Sequence, residues 1–264
     1  MTKNAADDGA VAVAAMAADG LYRATVPRDG GRVLHLFSRT ARSYQLFDGL
    51  PAAAGGGTYF RQHPLTGEWI SYSGVRQGRT FLPNVAECPL CPMTDGGPTT
   101  DIPVDDYEVA IFTNRFAALT PDAGPPPKMM LETRPGTGVC DVVSYSADHN
   151  ASLSTIGPDR IVLLLDALAI RCDELMANPD IAYVMPFENR GREIGVTLDH
   201  PHGQIYAMSQ LPDRIEKVAA AFRHDDPLSG LAERLPQQLV LAQNDSGIAF
   251  VPPFARLHLF GVGH

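Results

Sequence analysis

The sequence predicts an α+β fold in which an antiparallel β-sheet packs against one or two helices. Three observations support this class. Several short runs have strand chemistry, one long segment has the periodicity of an amphipathic helix, and a turn signal near the C-terminal end joins two further strands. The chain has 264 residues, of which 45% are hydrophobic, so it is long and apolar enough to bury a substantial core.

Short runs rich in β-branched and aromatic residues predict four strands. These runs are Glu68–Ser73, Tyr107–Thr113, Asp141–Tyr145 and Ile181–Phe187. Two segments dominated by proline, glycine and alanine, Pro51–Gly57 and Pro121–Pro127, predict surface loops between them.

The clearest helix is predicted between Pro158, which suits a first helical turn, and Pro179, which ends the helix. Apolar residues recur at helical spacing between these prolines and predict one buried stripe: Ile161, Leu164, Leu165, Leu168, Cys172, Leu175 and Met176. A shorter helix is predicted at Asp213–His224. The segment Gln238–Val251 predicts a hairpin that turns at Asn244–Gly247.

Composition excludes some classes of function. The formal net charge of −9 argues against a general nucleic-acid binder, because phosphate backbones require a basic surface. No run of 18 apolar residues is present, so we expect no membrane span. Four cysteines, two of them in Cys88-Pro-Leu-Cys91, are typical of a reduced compartment, and we expect a cytoplasmic protein.

The segment most informative about function is Phe187–Ala207, which contains His200 and His202. In an extended backbone, residues two positions apart project to the same side, so both imidazoles can serve one site. Gly203, with glycines at positions 191 and 195, would let the backbone approach a phosphate without an intervening Cβ. From these residues alone, a catalytic pair and a turn with two incidental histidines are equally good interpretations.

The motif His200-Pro-His-Gly-Gln204 resembles the active-site signature of the galactose-1-phosphate uridylyltransferases, a branch of the histidine-triad superfamily. Other blocks match this family in order and spacing between about Phe60 and Leu211. These blocks are Pro64–Trp69, Arg76 with Arg79, Cys88–Cys91, Asn114–Phe116 and Phe187–Asn189. The resemblance implies a histidine-triad-like antiparallel sheet, a half-barrel with packed helices.

The resemblance implies that His202 is a nucleophile that attacks the α-phosphorus of UDP-glucose and releases glucose 1-phosphate. The resulting uridylyl-histidine would pass UMP to galactose 1-phosphate. In the family, a backbone carbonyl within the histidine motif accepts a hydrogen bond that fixes the imidazole tautomer. Gln204 stands where histidine-triad hydrolases have a third histidine. It can donate to a phosphate oxygen but cannot act as a general acid, which favours transfer over hydrolysis.

The resemblance also implies a set of substrate-binding residues. Asn189, Thr197 and Gln204 would hold the diphosphate, and Asn114 lies in the segment that contacts uridine. In the family, arginines such as Arg76 and Arg79 reach phosphates from the partner subunit of a dimer, although an exposed basic pair is the simpler interpretation from the residues alone. The predicted substrate-binding residues are Arg76, Arg79, Asn114, Asn189, Thr197 and Gln204.

The resemblance further implies a metal site. Many family members bind zinc through residues that correspond here to Cys88, Cys91, His149 and His200. Four protein ligands would make a closed, structural site that clamps His200 and thereby positions His202. The alternative is a pair of buried reduced thiols. No second, iron-binding site is assigned.

Three segments are predicted. Residues 1–55 form a leader and variable N-terminal segment, residues 56–230 form the N-terminal catalytic domain of the family, and residues 231–264 begin a truncated second half. We expect a homodimer or a C-terminal partner polypeptide. Two alternatives stay open: a related nucleotidyltransferase or phosphorylase acting on another nucleotide, and a zinc-stabilised subunit that needs a partner chain for turnover.

Overall fold

The computed structural model describes residues 10–17, 20–53, 57–74 and 83–255. The chain divides into two compact units, Met1–Leu211 and Pro212–His264. The strands of the first unit are β1 (Val11–Val13), β2 (Ala15–Met16), β3 (Tyr22–Pro27), β4 (Val33–Ser38), β5 (Ser43–Gln45), β6 (Thr58–Gln62), β7 (Trp69–Ser73), β8 (Val109–Thr113), β9 (Thr133–Pro135), β10 (Gly138–Ser144), β11 (Tyr183–Phe187) and β12 (His202–Met208). Its long helix is α1 (Pro158–Met176), and short 3₁₀ turns occur at Asp29–Gly31, Val85–Glu87 and Arg192–Ile194.

The second unit contains α2 (Asp213–His224), α3 (Ser229–Ala232), a 3₁₀ turn at Gln237–Leu239, and the strands β13 (Val240–Asn244) and β14 (Gly247–Phe250). β13 and β14 pair antiparallel, with Asn244 opposite Gly247, so the predicted hairpin is confirmed. The predicted helix at Asp213–His224 has the bounds of α2. The described residues contain no helix that is long and apolar enough to cross a membrane.

A seven-stranded sheet organises the first unit. Its strand order is β11-β12-β10-β8-β4-β3-β2, and every neighbouring pair is antiparallel, which confirms the predicted α+β class. A separate three-stranded sheet has the order β7-β6-β9. Three strands of the main sheet, β2 to β4, come from the predicted leader and variable segment. The predicted limits at residues 55 and 230 stay predictions.

Helix α1 is confirmed, but the predicted buried stripe is partly wrong. The buried residues of α1 are Leu163, Leu164, Ala167 and Leu175, whereas Leu165 and Met176 are 58% and 49% exposed. Residues 161–165 are all apolar, so helical periodicity alone cannot choose which side of the first turns faces the protein. Packing against the sheet makes that choice.

The two faces of the main sheet bury different clusters. One face packs under α1 with Phe37, Ile111, Val143 and Ile205. The opposite face packs against the segment that carries Cys88 and Leu90, together with Leu34, Phe112 and Tyr107. Side chains alternate between faces along a strand, so neighbouring residues of one strand serve opposite clusters. The second face is the one that packs against Cys88, a predicted metal ligand.

A network of charged side chains lies between α1 and the sheet. Arg171 of α1 donates to Asp141 of β10 over 2.8 Å and to Glu174 over 3.1 Å. Arg23 of β3 pairs with Glu174 and lies 2.8 Å from Nδ1 of His35 on β4. Burial lowers the pKa of His35 to about 3, and the nearby charges of Arg23 and Arg171 act in the same direction. The imidazole is therefore neutral in the folded protein.

His35 should make stability depend on pH. Between pH about 3 and about 6.5 the unfolded chain binds a proton at His35 that the folded protein does not, so this contribution to stability is lost as the pH falls through that window. We expect the free energy of unfolding to fall by up to about 1.4 kcal/mol per pH unit relative to His35→Gln. Urea denaturation of both proteins from pH 7.5 to pH about 4 measures this difference.

The comparison with His35→Gln isolates the imidazole, because both proteins keep the neighbouring groups Arg23, Thr25, Arg171 and Glu174. Glutamine is neutral throughout this range, and its carbonyl can accept a hydrogen bond from Arg23. Two stability curves that run parallel from pH 7.5 to pH 4 would contradict the prediction.

Candidate active site and metal centre

The strand β12 begins at His202 and displays it beside Gln204. Gly203, Ile205 and Ala207 of this strand are buried, whereas His202, Gln204 and Tyr206 are half-buried on the other side. Gln204 is paired in register with Val142 of β10, and Val142 with Phe112 of β8. The sequence spacing thus places His202 and Gln204 on one side of the strand, as predicted.

A first cavity, of about 90 Å³, lies against this face of the sheet. It brings together four of the predicted site residues, Asn114, Thr197, His202 and Gln204. Its other lining residues come from the loop after Cys88, from Asp101, from β8 and the residues after it, from β10, and from the segment before β12: Pro89, Leu90, Asp101, Phe112, Arg115, Phe116, Val142 and Leu198.

A second cavity, of about 250 Å³, is also lined by His202. Its lining includes Asn189, Arg190, Gly191 and Glu188, and it shares His202 and Leu198 with the first cavity. His202 therefore belongs to the lining of both cavities. This arrangement suits a ligand with two chemically different ends whose central atoms lie beside the imidazole.

The hydrogen bond of His202 fixes its tautomer. Nδ1 of His202 lies 2.7 Å from the backbone carbonyl oxygen of His200. A carbonyl oxygen can only accept, so Nδ1 carries the proton and Nε2 keeps its lone pair. Burial lowers the pKa of His202, opposed by this hydrogen bond and by Glu188. The result is a neutral imidazole with one unprotonated nitrogen.

Gly203 is required for packing and not for the predicted approach of a phosphate. A Cβ at this position would lie 2.3 Å from the hydroxyl oxygen of Tyr145 and 2.8 Å from the carbonyl oxygen of Phe187. The expectation for Gly203 is therefore corrected: neighbouring protein atoms fill the space. Gly191 and Gly195 have φ of 103° and 78°, a region that favours glycine, and Gly191 lines the second cavity.

The four predicted metal ligands form one cluster. The ligand atoms of Cys88, Cys91, His149 and His200 all lie within 4.8 Å of one another. Nδ1 of His200 is 3.7 Å and 3.6 Å from the two sulfurs, and Nδ1 of His149 is 3.5 Å from Sγ of Cys91. Tetrahedral bonds of zinc length place neighbouring ligand atoms about 3.6 Å apart. The cluster therefore fits one tetrahedral metal ion.

The tautomer of His200 leaves a lone pair free for a metal ion, whereas the Cys91 thiol keeps its proton until an ion binds. Nε2 of His200 lies 2.7 Å from the carbonyl oxygen of Ser146, so Nε2 carries the proton. The unprotonated Nδ1 is the ring nitrogen that lies near the two cysteine sulfurs. Burial lowers the pKa of His200 to about 4. Burial, and then the neighbouring Cys88, raise the pKa of Cys91 to about 12. Two adjacent thiolates are stable here only with a cation between them.

Tyr107 belongs to the site although the sequence assigned it only to a strand. Its side chain is 2% exposed, and its hydroxyl donates to the carbonyl oxygen of Leu90 over 2.7 Å. The same oxygen lies 3.1 Å from Nε2 of His200, which is 93 positions away in the chain. No local pattern marks such a residue, because its partners are brought close only by the fold.

Asp101 and Arg115 are a second pair that the sequence did not assign to the site. Nε of Arg115 lies 3.5 Å from Oδ1 of Asp101, and the guanidinium lies over the ring of Phe116 at 4.7 Å. All three residues line the first cavity. Arg76 and Arg79 lie outside the described residues, and their role remains a prediction.

Comparisons with known proteins agree with this geometry. Residues 59–212 match the family model described as galactose-1-phosphate uridyl transferase, N-terminal domain. The galactose-1-phosphate uridylyltransferase of Thermotoga maritima is 34% identical over 219 residues, which are 77% of this chain and 66% of the relative. That of Streptomyces lividans is 35% identical over 199 residues, 72% of this chain and 51% of the relative.

A solved structure described as a uridylyltransferase superposes with a TM-score of 0.61 at 29% identity, covering 75% of this chain and 62% of that chain. The chain thus spans about half to two thirds of the length of the proteins it matches.

Proposed function

The chain belongs to the galactose-1-phosphate uridyl transferase family, and on that premise we propose that it transfers UMP from UDP-glucose to galactose 1-phosphate through a uridylyl-histidine at His202. One observation carries this proposal. His202 lines both cavities, and the hydrogen bond from its Nδ1 to the backbone leaves Nε2 unprotonated.

In the first half-reaction, Nε2 of His202 attacks the α-phosphorus of UDP-glucose. A P–N bond forms as the bond between the α-phosphorus and the bridging oxygen breaks, and glucose 1-phosphate leaves with that electron pair. In the second, a phosphate oxygen of galactose 1-phosphate attacks the same phosphorus, and the P–N electron pair returns to Nε2. A sugar phosphate leaves as a stable anion, so no general acid is needed, and Gln204 is sufficient beside His202.

The two cavities divide the substrate between them. We assign the nucleoside to the first cavity, where Asn114 and Phe116 lie, and the diphosphate to the neighbourhood of His202. Thr197 and Gln204 line the first cavity with His202, and Asn189 lines the second cavity with the same histidine. They can donate hydrogen bonds to phosphate oxygens as charge moves during transfer.

We propose that Cys88, Cys91, His149 and His200 bind zinc in a structural role. Four protein ligands would close the coordination sphere, so a bound ion would supply fold stability and not a reactive water. His200 links this site to catalysis: its side chain would be one of the ligands, and its backbone carbonyl accepts the hydrogen bond from His202. Clamping His200 therefore fixes the acceptor that sets the tautomer of His202.

Incubation with UDP-glucose tests the function. We expect intact-mass spectrometry to show one added uridylyl group per chain, and ADP-glucose at the same concentration to add nothing. Subsequent galactose 1-phosphate should remove the group and yield UDP-galactose. We further propose that the site is completed in a homodimer or by a C-terminal partner polypeptide. The assay is therefore also run with a polypeptide that corresponds to the C-terminal part of the longer relatives.

The outcomes separate the alternatives. An adenylyl adduct from ADP-glucose, without a uridylyl adduct, would assign the chain to another nucleotide. An adduct only with a partner chain present would make it a subunit that lacks turnover alone. If no nucleotide sugar modifies the chain under either condition, the proposed function is wrong.

A further inference from the structure

We propose that Tyr107 is a positioning residue whose hydroxyl joins the metal loop, defined as Cys88–Cys91, to the metal ligand His200, and so sets the geometry and affinity of the metal centre. The inference rests on the metal site proposed above and goes beyond the four ligands. Nothing in the family resemblance assigns Tyr107 a role.

Three different parts of the fold meet at this one hydroxyl. It donates to the carbonyl oxygen of Leu90 in the metal loop over 2.7 Å, and it lies 2.8 Å from Oγ of Ser144 at the end of β10. Its third neighbour is Nε2 of His200 at 3.1 Å. The ring is fully enclosed in the cluster that also buries Cys88 and Leu90. No solvent competes for these bonds.

The three contacts use the full hydrogen-bonding capacity of a phenolic hydroxyl, which is one donor and two acceptor positions. Since the proton is donated to Leu90, the oxygen can only accept from Ser144 and from His200. The Nε2 proton of His200 then has two acceptors, the Ser146 carbonyl at 2.7 Å and Tyr107 at 3.1 Å. Both acceptors hold the tautomer in which Nδ1 faces the sulfurs of Cys88 and Cys91.

The hydroxyl also connects the metal loop with the substrate cavity. Pro89 and Leu90, between the two cysteines, form part of the wall of the first cavity. Leu90 is held by Tyr107, and the carbonyl of His200 holds His202. Partners that orient a metal ligand usually contribute about tenfold to a hundredfold to metal affinity. Tyr107 occupies such a position for one ligand and for the loop that carries two others.

The substitution Tyr107→Phe tests the role of the hydroxyl, because it keeps the ring and removes only the oxygen. We expect the zinc dissociation constant, measured by competition with a chromophoric chelator, to rise about tenfold or more. The ligand-field absorption of Co²⁺ bound in place of zinc should also shift, because the ligands change orientation. A general loss of stability would not move those absorption bands.

Tyr44→Phe is the matched control. Tyr44 is 1% exposed and lies in the same buried cluster, but its hydroxyl takes no part in the contacts among Leu90, Ser144 and His200. We expect this variant to keep the wild-type zinc affinity and Co²⁺ spectrum. If Tyr107→Phe cannot be purified, Ser144→Ala removes a neighbour of the same hydroxyl and is expected to weaken zinc binding in the same direction.

The outcomes distinguish this inference from the proposals on which it rests. Equal zinc affinity and equal Co²⁺ spectra for Tyr107→Phe and Tyr44→Phe would overturn the role of Tyr107 while leaving the metal site intact. A wild-type protein that binds no zinc would overturn the metal site and this inference together. Both results are independent of uridylyl transfer, because zinc binding is measured without any nucleotide.

Discussion

His202→Asn is expected to abolish the uridylyl adduct that UDP-glucose forms with the wild-type chain. The amide nitrogen of asparagine has no available lone pair, so it cannot attack phosphorus. Its NH₂ group can still donate to the carbonyl of His200, which keeps the local hydrogen bond. We expect a loss of at least about three orders of magnitude in the rate of adduct formation, since removal of a covalent nucleophile leaves only binding and charge stabilisation.

Intact-mass spectrometry over a time course measures this rate. The control is His224→Asn, which makes the same substitution at an exposed histidine at the end of α2. We expect His224→Asn to be modified at the wild-type rate, and zinc to be retained by both variants. Adduct formation that persists in His202→Asn would show that another residue is the nucleophile and would contradict the assignment.

Arg171→Met is expected to give the largest loss of stability among the ion pairs of the first unit that the structure describes. Arg171 donates over 2.8 Å to Asp141, whose side chain is 1% exposed and lies on the interior strand β10. Burial raises the pKa of Asp141, and Arg171 opposes that rise. Removing one partner of a buried ion pair leaves an uncompensated charge, which costs about 3–5 kcal/mol.

Urea denaturation followed by the fluorescence of Trp69, the single tryptophan of the chain and a residue of the first unit, measures this loss. Arg39→Met is the matched control. Arg39 pairs with Asp166 of α1 over 2.6 Å, but its side chain is 38% exposed and that of Asp166 is 42% exposed. An exposed pair contributes about 0–1 kcal/mol. Equal losses in the two variants would contradict the importance of burial at Asp141.

Local sequence was sufficient for the elements whose determinants are local. Pro158 and Pro179 bracket α1, and the turn at Asn244–Gly247 joins β13 to β14, because proline and short polar turn residues restrict the backbone where they stand. The side of β12 that displays His202 and Gln204 also follows from the two-residue period of an extended strand.

The metal site could be predicted only in part from local sequence. The spacing of Cys88 and Cys91 indicates a metal loop, but nothing in the spacing selects His149 and His200 as their partners. Family resemblance supplied that selection, and the fold brings the four ligand atoms within 4.8 Å. The helical periodicity of α1 was similarly incomplete, since it predicted burial for Leu165, which is 58% exposed.

The sequence by itself therefore determined the α+β class, the helix and hairpin positions and, through motif resemblance, the family and the residues proposed for the site. Only the tertiary structure decided that Tyr107 bonds the metal loop, that Tyr145 fills the space beside Gly203, and that Asp141 is buried against Arg171. The physical reason is the same in each case. These contacts join residues far apart in the chain, and their energies depend on burial and on distances that exist only after strands and helices have packed.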